Sequence, residues 1–269
     1  MTKTQTPKVS IVMCVYNGSQ TIAEAIQSIL NQTFTEFELI VVNDGSVDST
    51  LSIVGEFKDP RMIIQNIVHG GLTKALNSGI KLARGEYIAR MDADDISIPA
   101  RLEKQVAYLE KNLSVGVLGT AYEIIDENGN RQAATVPLLK SDSEIRKALP
   151  KFNPLMHGSV MLRRSALEEI GFYDEQFALS QDYDLWFRIS KKYQLANLDE
   201  VLMRRREGKQ TLKKERRQNW FAIKARVKAI EEGNSNFSNL IYLWRPFLVV
   251  VTPDWVKLLI RKAIRQSNA

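Results

Sequence analysis

Three carboxylates fall within four positions of the sequence, at Asp92, Asp94 and Asp95. Carboxylates this close repel one another unless a cation or strong hydrogen-bond donors hold them. Two carboxylates at i and i+2, leaving the end of a strand, can converge on one oxygen-preferring divalent ion, Mg²⁺ or Mn²⁺. Such an ion bridges the phosphates of a nucleotide and stabilises a departing diphosphate. A solvated acidic turn is the alternative, and the position after an apolar run favours the metal site.

Two more polar clusters also follow apolar runs. Asp44 can accept hydrogen bonds from a base edge or a ribose hydroxyl, or it can form a simple Asx turn. Asp48 or Ser49 is suited to cap the helix that follows. Tyr16 offers a ring for stacking on a base and Asn17 offers an amide, although alone this pair is more typical of a turn.

The first half of the chain alternates strand and helix patterns. Continuous apolar runs predict buried strands, and apolar residues at helical spacing predict the helices between them. The predicted strands are residues 9–16, 37–42, 62–66 and 86–92, and the predicted helices are 22–30, 51–57 and 72–83. Strands joined by helical crossovers form a mostly parallel central sheet with helices on both faces. Ligands bind outside the carboxyl ends of such strands, where all three polar clusters lie.

The rest of the chain predicts more of the same α/β domain, followed by a helical end. The pattern indicates a helix after Pro99, strands at 115–122 and 157–164, a turn at 126–130, and a helix beginning at Gln181 and Asp182. After about residue 210 the sequence changes to basic, amphipathic helices. We therefore expect a domain over residues 1–210 and a C-terminal helical appendage over residues 211–269.

Five blocks of sequence carry a resemblance to a known family. They are VSIVMCVYNG, ELIVVNDGSVDST, GLTKALNSGIKLARGEYIARMDADD, HGSVMLRRSALEEIGFYDE and QDYDLWFRIS. Their order resembles that of the family 2 glycosyltransferases, which are inverting enzymes with the GT-A (nucleotide-diphospho-sugar transferase) fold. The resemblance covers roughly residues 8–210. It implies transfer of a sugar from a nucleotide diphosphate donor, UDP being the first choice, to an acceptor hydroxyl in polysaccharide or glycolipid assembly.

The resemblance also implies roles for individual residues. Asp94 would hold the metal, Mn²⁺ or Mg²⁺, and Asp182 would be the catalytic base. The residues expected to bind the nucleotide sugar are Tyr16, Asn17, Asp44, Asn77, Arg90, Asp92 and Asp95. Among these, Asn77 is expected to order the loop that presents the metal, and Arg90 to meet the sugar or its phosphates.

Asp182 fits the chemistry that such a transfer needs. An acceptor hydroxyl is a poor nucleophile, so a carboxylate must take its proton as attack proceeds. In-line displacement requires that carboxylate to lie across the anomeric carbon from the leaving diphosphate, which suits a separate segment of the chain. An acidic residue at a helix N-terminus also interacts favourably with the helix dipole, and both roles are compatible.

Four residues have a more open assignment to the acceptor or the diphosphate. Gln181 stands where the family usually has Glu. Glu207 falls near a position where many relatives carry His, and Arg205 either contacts diphosphate oxygens or belongs to a solvated basic loop. His157 either touches the acceptor or sugar or is a structural hydrogen-bonding residue, whereas His69 is expected to be a solvated loop residue.

Two other functions remain as alternatives. A sugar-nucleotide nucleotidyltransferase should carry a glycine-rich phosphate loop with nearby cations after its first strand, and YNGSQTI has one glycine and no cation. A non-catalytic nucleotide-sugar-binding module of the same fold is favoured slightly by Gln181.

Composition and charge restrict the partners. The chain of 269 residues is 44% hydrophobic and 25% charged, as in ordinary globular proteins. A single cysteine, Cys14, and the lack of an apolar N-terminal leader segment predict a cytoplasmic protein. Residues 204–269 contain 16 Lys and Arg against 5 Asp and Glu, which suggests an anionic partner or solvated helix faces. No nucleic-acid-binding motif accompanies this charge.

The C-terminal helices allow two interpretations. Trp244, Phe247 and Trp255 lie among basic residues, a composition typical of peripheral membrane helices, here at the inner face of the membrane. The same residues can instead pack on the body of the protein or on a second copy in a homo-oligomer. The acceptor itself is expected to be a saccharide or a lipid-linked saccharide.

Overall fold

The computed structural model describes residues 6–132, 138–208 and 211–258. Four parallel strands form the first half of its sheet in the order β3-β2-β1-β4. They are β1 Val9–Val15, β2 Phe37–Asp44, β3 Met62–Ile67 and β4 Tyr87–Asp92. The helices between them are α1 Ile22–Leu30, α2 Thr50–Glu56 and α3 Leu72–Leu82. The predicted parallel sheet with helical crossovers is confirmed.

The sheet continues past β4 as a mixed sheet, in the order β4-β8-β6-β9-β5, with β7 paired to β6. The short β8 is antiparallel to both of its neighbours, whereas β6 and β9 are parallel. The strands are β5 Ile96–Ser97, β6 Val115–Ile125, β7 Arg131–Gln132, β8 Met161–Arg163 and β9 Gln194–Arg206. The helices are α4 Arg101–Lys111, α5 Asp142–Ala148, α6 Arg164–Ile170 and α7 Gln181–Ile189.

Two stretches differ from the sequence-based expectation. The strand expected over residues 157–164 is shorter, because His157–Ser159 forms a 3-10 turn in which the Ser159 hydroxyl binds the Met156 carbonyl. The basic run at residues 204–206 is not a solvated loop but the end of β9. Arg204 pairs there with Glu123, and Arg206 pairs with Glu24.

The central strands are buried on both faces. Successive side chains of a strand point to opposite sides, so Val12 lies in the part of the core formed with α3 and α7, whereas Ile11 and Met13 lie in the part formed with α1 and α4. All eight residues of β2 are buried. This explains why the strands read as continuous apolar runs, and it fixes the position of their polar carboxyl ends.

The helical end of the chain begins on the body of the protein. It comprises α8 Leu212–Glu231, a 3-10 turn over Phe237–Leu243 and α9 Trp244–Val251. Ala225 and Ala229 of α8 are part of the core, and the buried Arg226 donates to the Tyr183 hydroxyl and the Lys151 carbonyl. The boundary expected at residue 210 lies outside the described residues. Among the residues described, none of the helices combines the length and apolarity needed to cross a membrane.

Candidate active site

The three polar clusters meet at the carboxyl ends of the parallel strands. A cleft of about 570 Å³ runs from the end of β1 to the loop after β4 and is lined by both Tyr16 and Asp94. A side pocket of about 180 Å³ opens from it beside Asp44, and a second cleft of about 350 Å³ adjoins it beside Asp95. Because neighbouring clefts share lining residues, one ligand can contact the ends of β1, β2 and β4 together.

Tyr16 and His69 form a stacked aromatic pair at the β2 end of the cleft. Their ring centroids are 4.1 Å apart with an interplanar angle of 28°. The His69 Nδ1 lies 3.0 Å from both Oδ2 and the carbonyl oxygen of Asp44. Both partners are acceptors, so Nδ1 carries the proton. His69 is therefore an exposed loop residue, as expected, but it is also fixed by its contacts with Tyr16 and Asp44.

Asp44 is held in place by the loop after β3. Its two carboxylate oxygens accept hydrogen bonds from the backbone N–H groups of Gly70 and Gly71, at 2.7 and 3.0 Å. Gly71 has a φ of +89°, a conformation that disfavours other residues. The buried carboxylate is thus fixed beside the aromatic pair, at the edge of a ring-sized pocket.

Asn17 connects the loops that follow β1 and β2. Its backbone N–H donates to the Ser46 hydroxyl, and its side-chain oxygen accepts from the Val47 N–H. Asp48 accepts from the Ser19 and Thr50 N–H groups, and its hydrogen bonds with Thr50 and Ser19 lower its pKa to about 2. Asp48 therefore fulfils the predicted capping role, whereas the Ser49 side chain makes no cap hydrogen bond.

The acidic cluster after β4 has the donor set of a divalent-cation site. One ligand oxygen from each of Asp92, Asp94 and Asp95 lies within 4.8 Å of the others. Both Asp92 oxygens contact the buried Arg90 guanidinium. Asp95 Oδ1 accepts from the Arg206 N–H at 2.9 Å, whereas its buried Oδ2 lacks a hydrogen-bond partner among the described residues. Clustered carboxylate oxygens of this kind fit Mg²⁺ or Mn²⁺.

The cluster is strained electrostatically as it stands. Burial raises the pKa of Asp95 well above its ordinary value, and Asp92 and Asp94 raise it further. The pKa of Asp94 is also raised, mainly by desolvation within the cleft and then by the negative charge of Asp92. The fully buried Arg101 donates a hydrogen bond to the Arg90 carbonyl. Burial lowers the pKa of Arg101 to about 9. A divalent cation would favour the ionised carboxylates.

Asp182 is the second residue of α7. The residue before its helix, Ser180, has a φ of +56°, and Asn17 is the other non-glycine residue with positive φ in the described chain. Asp182 accepts a hydrogen bond of 2.6 Å from the Asn153 amide. Burial raises its pKa, and Arg90 opposes that rise through its charge. Asp182 is not among the residues that line the three clefts, and the neighbouring Gln181 is buried.

Comparison with known proteins identifies the family. A model of glycosyl transferase family 2 matches residues 10–171. The chain belongs to glycosyl transferase family 2. It is 35% identical to the putative glycosyltransferase EpsE of Bacillus subtilis, over 92% of this chain and 90% of EpsE. It is 33% identical to the amylovoran biosynthesis glycosyltransferase AmsE of Erwinia amylovora, over 81% of this chain and 82% of AmsE.

Solved structures show the same fold. The S. aureus TarS fragment 1–349 in complex with UDP-GlcNAc has a TM-score of 0.68 at 19% identity, over 90% of this chain and 70% of that one. The mannosyltransferase PcManGT from Pyrobaculum calidifontis, in complex with GDP-Man and Mn²⁺, has a TM-score of 0.68 at 17% identity, over 99% of this chain and 82% of that one. The glycosyltransferase therefore has the expected GT-A fold, with a C-terminal helical part.

Arg206 organises the acidic loop of this glycosyltransferase and was not singled out from the sequence. Its Nε donates to the Asp94 carbonyl, its Nη1 to the carbonyls of Asp126 and Glu127, and its Nη2 to Glu24. Three segments of the chain thus converge on the guanidinium at the end of β9. Arg205 and Glu207, which the sequence did single out, line the second cleft together with the three aspartates.

The 3-10 turn at His157 packs against the acidic cluster. A Cβ at Gly158 would lie 2.7 Å from Asp95 Oδ2 and 3.1 Å from Asp92 Oδ2, so only glycine fits there. His157 Nε2 lies 2.8 Å from the Tyr173 hydroxyl. Burial, assisted by Arg90, lowers the pKa of His157 well below its ordinary value, so the ring is neutral near pH 7.

Asn77 contacts the site indirectly. Its amide donates to the Tyr173 carbonyl and to Glu175, and its oxygen accepts from the Tyr173 N–H. Tyr173 in turn binds His157. These contacts indicate that Asn77 acts through Tyr173 to position the turn at His157, rather than contacting the acidic loop or a ligand.

Proposed function

We propose that this chain is an inverting glycosyltransferase that moves a hexosyl or N-acetylhexosaminyl group from a nucleotide diphosphate, UDP first, to an acceptor hydroxyl. One observation carries the proposal: Tyr16 lines both the pocket beside His69 and Asp44 and the cleft that reaches Asp92 and Asp94. A nucleotide diphosphate presents a base at one end and a pyrophosphate at the other. The family neighbours with bound UDP-GlcNAc and GDP-Man support this class of donor.

The base end of the donor fits the pocket beside Asp44. Tyr16 and His69 offer aromatic faces, and base–aromatic stacking contributes about 1–3 kcal/mol per base. Asp44 is already fixed by two backbone donors and provides acceptor oxygens for a base edge or a ribose hydroxyl. Asn17 holds the loop that carries Tyr16, which makes it a positioning residue in this scheme.

The diphosphate end fits the acidic cluster when a divalent cation is bound. Asp94 and Asp95 would hold the ion, since both Asp92 oxygens are engaged by Arg90. When bound, the ion supplies charge neutralisation for the diphosphate leaving group. Arg206 and Gly158 keep the carboxylates in place, and Arg205 brings a further cation to the adjoining cleft. The Mn²⁺ in the PcManGT complex supports this assignment.

Asp182 is the proposed base. Its raised pKa makes it a stronger proton acceptor than an ordinary aspartate, and the hydrogen bond from Asn153 orients one oxygen. In the proposed reaction the acceptor oxygen attacks the anomeric carbon while Asp182 takes its proton. The bond from that carbon to the diphosphate oxygen breaks and the nucleoside diphosphate leaves, so the configuration is inverted in a single displacement. The charge of the buried Arg90 lowers the pKa of both Asp182 and Asp94. One guanidinium therefore acts electrostatically on the proposed base and on the acidic cluster.

The acceptor is proposed to be a saccharide or a lipid-linked saccharide of a cell-surface polysaccharide or glycolipid. The name of AmsE, an amylovoran biosynthesis enzyme, supports this class. The free Cys14 is compatible with a reducing compartment, and we propose a cytoplasmic location.

Turnover of donor separates this function from a binding module, the alternative that Gln181 favours. Purified chain is incubated with a panel of UDP- and GDP-sugars, with Mn²⁺ or with EDTA, and release of the free nucleoside diphosphate is measured. We expect metal-dependent release with one donor class and none from Asp182→Asn. Donor binding by calorimetry without any release, at every acceptor tested, would favour the binding module.

A further inference from the structure

The C-terminal end of the described chain carries an apolar face that points outward. Trp244, Phe247, Leu248 and Val251 of α9 recur at the spacing that places residues on one helix face. Each is about half exposed or more, and Pro246 is the residue of α9 that is buried. We define the C-terminal apolar surface as Phe237, Ile241, Trp244, Phe247, Leu248, Val251, Trp255 and Leu258. All eight are exposed.

This face is held rigidly. The segment after α9 is fixed to α8, because Arg216 donates to the Thr252 carbonyl at 3.1 Å and pairs with Asp254 at 2.9 Å. Helix α8 is itself fixed to the body by the buried Arg226. The exposure of the apolar face therefore does not result from an undocked helix. Exposed apolar surface of this extent marks an interaction site.

The charge around the surface selects the partner. Residues 233–269 contain five Lys and Arg and a single acidic residue, Asp254. That aspartate is already paired with Arg216. Of the basic residues that the structure describes in this segment, Lys257 is buried, whereas Arg245 is exposed beside the Trp244 ring. The sequence of the segment is therefore net positive, and Arg245 presents a cation at the apolar surface itself. Tryptophan and phenylalanine beside basic residues are typical of helices lying in the interface of an anionic bilayer. A symmetric contact with a second copy would instead place like charges together.

The surface also lies close to the active-site cleft. Lys214 and Gln218 of α8 line the cleft that contains the acidic cluster. They are four residues apart and share one face of the helix, whereas Arg216 between them points to the other face, toward residues 252–254. The apolar surface therefore begins about one helix thickness, roughly 10–12 Å, from the cleft.

We propose that the C-terminal apolar surface binds peripherally to the interface of an anionic lipid bilayer. The inserted side chains are the eight residues of the C-terminal apolar surface, and the exposed Arg245 beside them contacts lipid phosphates. The cleft then opens near the bilayer, where an acceptor with a lipid anchor would be presented. The binding itself is independent of the proposed function, because it needs neither donor nor turnover.

Vesicle sedimentation of the full chain tests the proposal. Vesicles of phosphatidylcholine alone are compared with vesicles in which a third of the lipid is phosphatidylglycerol, without nucleotide. We expect the chain to sediment with the anionic vesicles and to be released in large part by 0.5 M salt. Phe247→Ser with Leu258→Ser should lower the partition coefficient at least about tenfold, since two apolar side chains that insert into the bilayer are lost.

A matched variant controls for loss of apolar surface in general. Phe152 and Leu113 are exposed by 52% and 73%, compared with 54% and 57% for Phe247 and Leu258, and both lie outside the surface. Phe152→Ser with Leu113→Ser should bind vesicles as the unchanged chain does. Equal binding by the Phe247/Leu258 variant, or no binding of the unchanged chain to anionic vesicles, would overturn the proposal. So would a dimer, seen by light scattering, that the Phe247/Leu258 variant abolishes.

Discussion

The backbone N–H of Arg206 donates to Asp95 Oδ1 at 2.9 Å, and its side chain donates to the carbonyl of Asp94. The last residue of β9 is thereby fixed to the acidic loop after β4. The two strands are not neighbours in the sheet, so this contact joins its two halves at the site. Arg206 positions the carboxylates without being a metal ligand itself.

Arg206→Ala should weaken metal and donor binding more than it slows turnover at saturation. The guanidinium holds the Asp94 carbonyl, the turn at residues 126–127 and Glu24, and its loss frees the acidic loop. We expect the concentration of Mn²⁺ needed for half-maximal activity, and the donor KM, to rise about tenfold or more. Arg206→Lys should recover part of this, because one cation remains but the fork geometry is lost.

Gly158→Ala should disturb the metal site by displacing Asp95. The added methyl group would lie 2.7 Å from Asp95 Oδ2, closer than a van der Waals contact allows, so the carboxylate must shift. We expect a loss of stability of about 1–3 kcal/mol and a weaker response of the melting temperature to Mn²⁺. Gly55→Ala is the control, since a Cβ there meets nothing within 4 Å. Equal Mn²⁺ responses in both variants would argue against the assigned site.

The parts of the molecule that follow local pattern were predictable from sequence. The strands β1, β2 and β4 are buried on both faces, and their apolar runs give both their position and the polar residues at their ends. The clustering of Asp92, Asp94 and Asp95 likewise needs no tertiary information. The chemistry of these residue types at the ends of parallel strands is therefore visible in the sequence.

The parts that depend on long-range packing were not predictable. His69 looks like a solvated loop residue because its partners, Tyr16 and Asp44, are 53 and 25 positions away. Its one local signal is the Gly70-Gly71 pair, which suits a backbone that binds a carboxylate. The basic run at the end of β9 resembles a solvated loop in sequence because the acids that pair with it are distant along the chain. Arg204 pairs with Glu123 of β6, and Arg206 pairs with Glu24 of α1.

His69→Ala should weaken nucleotide binding without affecting the metal site. The ring stacks on Tyr16 and binds Asp44, so its removal leaves both less well positioned for a base. We expect the Kd for UDP, measured by calorimetry, to rise about tenfold, in keeping with the loss of one stacking contact. His69→Phe should retain the stacking but lose the contact to Asp44. Its Kd for UDP should therefore lie between the values for the unchanged chain and for His69→Ala. Unchanged UDP affinity in His69→Ala would exclude the ring from the base site.

The pH dependence of turnover should report Asp182. Burial raises its pKa, and the base must be ionised to accept a proton, so activity should fall on the acid side at a pH above the ordinary aspartate value. Asp182→Asn should lower kcat by about 10²–10⁴-fold and leave donor binding intact. Since the folded-state pKa is raised, ionised Asp182 costs stability, and this cost grows as pH rises from the unfolded-state value through the folded-state value. Asp182→Asn should therefore melt at the same temperature as the unchanged chain at pH 4 and higher at pH 7. A lower melting temperature at pH 7, with kcat unchanged, would place the base elsewhere.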